Sequence, residues 1–268
     1  MSESARLPDP YQSEWNPREY LRQYYSTSHV PDDSTAVLQF LIEQLPGRSQ
    51  RFNRSLEFGC GPALYTTIAT VPYVQDLELA DYLPENLQEL RHWLNGEREA
   101  HDWDVYFRGV LELERGVAPT ESMIAARKEE VRRKVTALRR ADIRQEHPLG
   151  APRTFDLVTS FYCLECVTSE RGDWKECMER LSGLVKPGGT LIMAALRGCN
   201  GYKVLGRMFP TTCLDEEDFN RVLPRLGFDE RTMVVRAVPI TAWVEVGFDS
   251  ICLIAAEKLG TDATTLRH

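Results

Sequence analysis

The chain has 268 residues, 43% hydrophobic and 27% charged, ordinary values for a globular protein that buries its core in one large α/β domain or at most two small ones. A net charge of −8 speaks against a nucleic-acid backbone as partner, and no apolar run approaches the roughly eighteen residues of a membrane helix. Seven scattered cysteines without dense spacing, and a polar stretch over residues 1–6 without the apolar core of a signal peptide, point to a reduced, cytoplasmic compartment.

Residues 1–10 read as a frayed tail. Asn16 then caps a helix whose first residue is Pro17, where a missing N–H costs nothing. Tyr11, Trp15, Tyr20, Tyr24 and Tyr25 crowd this short segment. It is either an aromatic helix packed on a core or a lid over a bound cofactor, and the nearly common face of Tyr20, Tyr24 and Tyr25 fits both. Residues 32–45 carry Val37, Leu38, Leu41, Ile42 and Leu45 at helical spacing, with Pro46-Gly47 as the stop.

A strand over residues 55–58 runs into Gly59-Cys60-Gly61, a helix over 65–70 ends near Pro72, and a second strand over 77–82 carries Asp81 at its end. Such a half-site suits a nucleotide-containing cofactor: the glycines let backbone approach the ligand, and the acid accepts from ribose hydroxyls. Leu64 stands where a dinucleotide fingerprint has its third glycine, so these residues alone leave open several cofactors and a plain β-turn-α. A helix from Pro84 follows, with Leu83, Leu87, Leu90 and Leu94 as its apolar stripe and Asn86 in its first turn.

Residues 95–140 are charge-rich, and 125–140 read as the solvated face of a helix around Ile124, Val131, Val135 and Leu138. That stretch ends in the extended Ala141-Asp142-Ile143. Residues 154–162 form an apolar run suited to a buried parallel strand, with Cys163-Leu164-Glu165-Cys166 at its carboxyl end. Ligands of open α/β sheets bind there, which places Glu165 for chemistry, although it could instead cap the next helix. The two cysteines lack further ligands at zinc spacing and read as structural, so no metal site is expected. A helix over 173–185, a tight reversal at Lys186-Pro187-Gly188-Gly189, a strand over 190–196, a helix over 215–226 between Asp215 and Gly227, and closing strands over 231–238 and 247–257 complete the chain.

The Gly-X-Gly turn without a third glycine, the acid ending the second strand, and Lys-Pro-Gly-Gly before the fifth strand together resemble class I methyltransferases rather than Rossmann dehydrogenases. Several strings recur in order: Asn16-Pro17-Arg18-Glu19-Tyr20-Leu21, Phe58-Gly59-Cys60-Gly61-Pro62, Asp81-Tyr82, Asn86-Leu87-Gln88-Glu89-Leu90, His101-Asp102-Trp103, Pro148-Leu149-Gly150-Ala151 and Cys163-Leu164-Glu165. They resemble the nicotinamide, phenylethanolamine and indolethylamine N-methyltransferase family over nearly the whole chain. The resemblance implies an α/β, Rossmann-like fold with a mostly parallel seven-stranded sheet, an antiparallel last strand and an N-terminal helical cap. It further implies one domain, with residues 10–50 capping a core over 51–268, acting as a monomer.

The cofactor implied is S-adenosylmethionine. By resemblance Tyr20 and Tyr25 close over its methionine end, Gly59 and Gly61 lie beneath it, and Tyr65 bonds its carboxylate. Asp81 holds the ribose hydroxyls beside Tyr82 and Asn86, Asp142 and Ile143 bracket the adenine, and Phe161 gives a backbone contact. Tyr11 lines the substrate entrance, Tyr24 and Tyr162 belong to the substrate pocket, and Glu165 matches the acid that binds the substrate nitrogen and helps take its proton.

Two departures bear on the acceptor. Ala194 stands where nicotinamide-methylating members carry an acid, and Arg197-Gly198 where phenylethanolamine-directed members carry glutamates. An arginine at the pocket rim could fork a substrate carboxylate, or be a surface side chain. With Glu165, and Glu245 or Asp249, it suggests a small cationic amine or guanidine, an amino-acid-like one among the candidates. The alternatives are an aromatic amine or azaheterocycle, O- or S-methylation, and a non-catalytic cofactor-binding subunit.

Overall fold

The computed structural model describes residues 10–45 and 52–260; the tail over 1–9 and the Pro46-Gly47 stop lie outside them. In chain order the elements are α1 (Pro10–Ser13), α2 (Pro17–Tyr24), α3 (Asp32–Gln44), β1 (Phe52–Phe58), α4 (Tyr65–Thr70), β2 (Val74–Asp81), α5 (Pro84–Leu94), α6 (Asp104–Arg115), α7 (Glu121–Lys134) and β3 (Val135–Arg140). There follow β4 (Phe155–Phe161), α8 (Arg171–Gly183), β5 (Val185–Leu196), β6 (Gly201–Val204), β7 (Arg207–Pro210), α9 (Glu216–Arg225), β8 (Val234–Pro239) and β9 (Ser250–Glu257).

Seven strands form one sheet in the order β3-β2-β1-β4-β5-β9-β8, parallel except that β9 runs against both its neighbours. The expected fold is therefore present. Alternate residues of the central strands face opposite cores, as the two-residue strand period demands. Ile251, Leu253 and Ala255 of β9 pack with α3, α4 and α6, whereas Cys252, Ile254 and Ala256 pack with α8 and α9. Burial on both faces explains why β4 and β5 read as continuous apolar runs.

The helix ends obey local chemistry. Asn16 Oδ1 accepts from the backbone N–H of Arg18 (3.0 Å) and Glu19 (3.2 Å), and Asp215 with Asp218 closes a reciprocal capping box on α9. Residues 95–140 differ from the sequence reading. They hold α6, which stops at the left-handed Gly116, then α7, and then β3 rather than further helix. β3 is an edge strand without a fully buried residue, and Arg139 pairs with Glu78 of β2, so its composition continues that of the charged helix before it. Lys186-Pro187-Gly188-Gly189 is likewise not a separate reversal. It is a bulge inside β5, with Phe155 opposite Val185 and Leu157 already opposite Thr190. A hairpin of β6 and β7, unforeseen from sequence, turns at Leu205 and Gly206, both with positive φ.

Order along the sheet reverses between β1 and β4, and the crevice at their carboxyl ends is where this architecture binds ligands. The turn leaving β1 is held by Gly59 and Cys60 N–H groups, both donating to Ala80 O, at 2.7 and 3.1 Å. Gly59 has φ +71°, and a Cβ there would fall 2.0 Å from Cys163 Sγ and 2.5 Å from Cys163 Cβ. Gly59→Ala should therefore cost about 2–4 kcal/mol, from left-handed strain and overlap, measured by denaturant unfolding. Adding Cys163→Ala should recover only part of the loss, because the Cβ contact and the strain both remain; an unchanged midpoint in the single variant would refute this account of the turn.

Candidate active site

The main cavity opens at the carboxyl ends of β1, β2 and β4. Its floor is the Gly59–Gly61 turn, and one wall is Asp81 at the tip of β2. Asp81 Oδ2 accepts from Gly61 N–H (2.8 Å), while Oδ1 accepts from Leu83 N–H (2.9 Å) and Asn86 Nδ2 (2.9 Å). Burial pushes this carboxyl upward from the usual range, against the pull of those donors. Asn86 Oδ1 in turn accepts from the Trp15 indole at 2.8 Å, tying the N-terminal segment to the cradle. The far wall is Asp142 and Ile143, where Arg144 Nε donates to Asp142 Oδ1 (2.9 Å) and its guanidinium lies 4.6 Å from the centre of the Tyr82 ring.

All eleven residues expected around the cofactor line this one cavity: Tyr20, Tyr25, Gly59, Gly61, Tyr65, Asp81, Tyr82, Asn86, Asp142, Ile143 and Phe161. Tyr11 lines it too. Glu57 joins them without having been singled out, its carboxylate satisfied by Thr66 Oγ1 (2.5 Å) and Thr67 Oγ1 (2.9 Å) and pushed up to about 7 by burial.

A second, inner chamber shares Tyr20, Tyr25, Tyr162, Cys166 and Tyr202 with the first and adds Tyr24, Asp33, Leu196 and Trp243. Its roof is aromatic: Tyr20 and Tyr24 ring centres lie 5.0 Å apart, Tyr24 and Trp243 4.8 Å apart. The cap is fastened by Tyr11 Oη to Tyr202 Oη (3.0 Å) and by Tyr24 Oη donating to Lys203 O (2.8 Å), so the unforeseen hairpin completes the chamber. Burial raises the phenols of Tyr11, Tyr20, Tyr24, Tyr25, Tyr65, Tyr162 and Tyr202, which keeps them protonated. Tyr162 holds its place at φ +52°, a strained conformation for a bulky side chain.

Glu165 sits in a 3₁₀ turn after β4 and is 1% exposed. It does not cap α8. Its Oε1 accepts from Leu196 N–H (2.9 Å), its Oε2 has no partner, and burial pushes the carboxyl up to about 7. Glu165 itself lines neither cavity, whereas its sequence neighbour Cys166 and its hydrogen-bond partner Leu196 both line the inner chamber.

Three expected substrate residues fall elsewhere. Arg197 is turned to α9, with Nε on Glu216 Oε2 at 2.7 Å, and lines neither cavity. Strand alternation is the reason: Leu196 faces the chamber, so its neighbour faces away. Glu245 and Asp249 are exposed on the β8–β9 loop, whose inward side chains are Trp243 and Phe248. The expected carboxylate fork is not built.

Whether a polar cofactor fits can be judged from two buried hydroxyls. Tyr65 Oη and Tyr162 Oη line the main cavity without a hydrogen-bond partner, which suits a ligand bearing charged and hydroxyl groups. The profile of the NNMT/PNMT/TEMT family matches residues 4–259. Indolethylamine N-methyltransferase of Mus musculus is 26% identical over 93% of this chain and 95% of its own, and nicotinamide N-methyltransferase of Sus scrofa 28% identical over 82% and 84%. Among solved structures, magnesium protoporphyrin IX methyltransferase from Synechocystis with bound S-adenosylmethionine aligns with TM-score 0.56 at 12% identity, over 95% of this chain and 99% of that one, a likeness of fold. The chain belongs to the NNMT/PNMT/TEMT family and is an S-adenosylmethionine-dependent N-methyltransferase.

Proposed function

We propose that this enzyme methylates a nitrogen of a small cationic amine or guanidine, with Glu165 drawing the cation in and taking its proton. The observation that carries this is the buried Glu165 Oε2, without a partner among the described residues, on a side chain whose other oxygen holds the backbone of Leu196 in the lining of the inner chamber. When bound, S-adenosylmethionine supplies an electrophilic methyl group on a sulfonium. The acceptor nitrogen needs a free lone pair, which a protonated amine lacks. A carboxyl held at about 7 is matched to accept that proton near neutral pH, directly or through water.

Around the cofactor, Asp81 would hold the ribose hydroxyls through charge-assisted hydrogen bonds, and Tyr65 the methionine carboxylate. Tyr20 and Tyr25 would face the sulfonium, an attraction of about 0.5–2 kcal/mol. Ala194 is buried in β5 and offers no acid for a carboxamide, which argues against nicotinamide as acceptor. With Arg197 engaged by Glu216, no substrate carboxylate is required. We place the enzyme in the cytoplasm as a monomeric single domain, its cap over residues 10–50, consistent with seven free cysteines; no helix among the described residues is long and apolar enough to cross a membrane.

Tyr65→Phe should weaken binding of S-adenosylhomocysteine about fivefold to tenfold while leaving the ligand-free protein as stable or up to about 1 kcal/mol more so, since a buried unpaired hydroxyl is removed. Calorimetric titration and thermal unfolding read the two; reduced stability with unchanged affinity would assign the hydroxyl a structural role.

Glu165→Gln should lower turnover of methyl-labelled cofactor with cationic amines by about 100-fold or more and change S-adenosylhomocysteine affinity less than about threefold. The sign with pH follows from the raised pKa: as pH falls through about 7 the carboxylate is protonated and loses its attraction for a cation. The limb of kcat/KM near that pH should vanish in the variant, leaving only the limb of the substrate amine near about 10. An unchanged rate would remove Glu165 from the mechanism. No labelled product from any amine or guanidine, with the cofactor bound, would make the chain a binding subunit.

A further inference from the structure

α3 opens on two consecutive acids with different surroundings. Asp32 faces the β8–β9 loop and accepts from Thr241 N–H (2.6 Å), Thr241 Oγ1 (2.7 Å) and Ala242 N–H (3.3 Å). It fastens that loop to the start of the helix. Asp33 turns inward, is 7% exposed, and lines the inner chamber. Its Oδ1 accepts from the Trp243 indole at 2.7 Å.

Fastening the loop does not account for Asp33, because Asp32 already does it. Unlike the partly exposed Asp32, a buried carboxylate costs free energy unless a partner offsets it, and among the described residues no Lys, Arg or His pairs with Asp33. Burial pushes its carboxyl up to about 6, so it remains mostly ionised at neutral pH. Among the described residues Asp33 is the one formally charged side chain on the chamber lining, which it shares with the rings of Tyr20, Tyr24, Tyr25, Tyr162 and Trp243. An anion ringed by electron-rich aromatic faces is complementary to an organic cation. Glu165 is bonded to Leu196 of the same lining, and both carboxylates help raise the Tyr162 phenol, which borders both cavities.

We propose that Asp33 anchors a second positively charged group of the acceptor, remote from the nitrogen that is methylated, so that preferred substrates are diamines or amines bearing another cationic nitrogen. The proposal rests on the reading of Glu165 as the acid for the reacting nitrogen. It replaces the earlier expectation of a substrate carboxylate, for which the chamber presents no cation among the described residues.

Three probes sharing one ring test it by calorimetric titration of the enzyme saturated with S-adenosylhomocysteine: benzylamine, para-xylylenediamine and para-(aminomethyl)benzoic acid. The diamine should bind at least about tenfold tighter than benzylamine, and the acid weakest. Asp33→Asn keeps an acceptor for the indole; it should erase the diamine's advantage, leaving benzylamine and S-adenosylhomocysteine within about threefold of their original affinities. Trp243→Phe keeps the carboxylate and should keep the advantage. Equal affinities for the three probes, absence of binding by the diamine, or an advantage that survives Asp33→Asn would overturn the proposal. Should labelled transfer to amines still depend on Glu165 while the diamine gains nothing, only the role of Asp33 falls; should transfer be indifferent to Glu165, the underlying reading falls as well.

Discussion

The Asp81 carboxylate is the joint on which the site depends. Through Gly61 N–H, Leu83 N–H and Asn86 Nδ2 it holds the glycine turn after β1, the end of β2 and the first turn of α5 in one arrangement. Asn86 passes the connection to Trp15, and so to the cap. A buried carboxylate is costly alone, but donors fixed by the backbone offset that cost and orient its remaining lone pairs toward the cavity. Cofactor cradle and cap are thus mechanically one structure. Whatever strengthens the grip of Asp81 on its donors also steadies the N-terminal segment through Asn86 and Trp15.

Against this satisfied network stands a set of polar atoms left unsatisfied. Buried unpaired groups occur elsewhere, at Ser55 and Trp174 for example, so one orphan carries little weight. The informative observation is that Tyr65 Oη, Tyr162 Oη and Glu165 Oε2 belong to residues on or bonded to the linings of two adjoining cavities, and that Tyr162 is also the tyrosine in a strained backbone conformation. Each costs on the order of 1–3 kcal/mol in the free protein. Such costs concentrated at one place are what a site prepared for polar ligands would show.

Much of this was legible in the sequence because it rests on local rules. Asn16-Pro17 announces a helix start, Gly59 and Gly61 announce a turn that no other residue adopts cheaply, and the short apolar run over 154–162, rich in β-formers, suits the buried strand that β4 makes of it. What was not legible depends on tertiary placement. β3 hides because an edge strand needs no apolar stripe and follows α7 without a loop. Arg197 was misplaced for want of strand parity: Ala194 and Leu196 pack with one core, Met193 and Ala195 with the other, which sends residue 197 away from the chamber. Asp33 reads as an ordinary acid in a first helical turn, and only the course of the β8–β9 loop shows that it is enclosed with Trp243.

Counting the groups that could accept a proton narrows the chemistry further. The phenols around the inner chamber stay protonated, so they serve as donors and aromatic walls, not as bases. The thiols of Cys163 and Cys166 are raised by burial and are equally unsuited. Glu57 has a carboxyl near 7, but Thr66 and Thr67 occupy its oxygens. Asp81 is committed to three N–H donors, and Asp33 to an indole on one oxygen. Among the described residues that leaves two raised carboxyls with one oxygen engaged: Asp33, near 6 and on the chamber lining, and Glu165, near 7, with Oε2 unpartnered and Oε1 on the backbone of the lining residue Leu196. The higher value makes Glu165 the stronger base of the two, which is why the proposed function gives it the proton of the reacting ammonium and leaves Asp33 to hold charge.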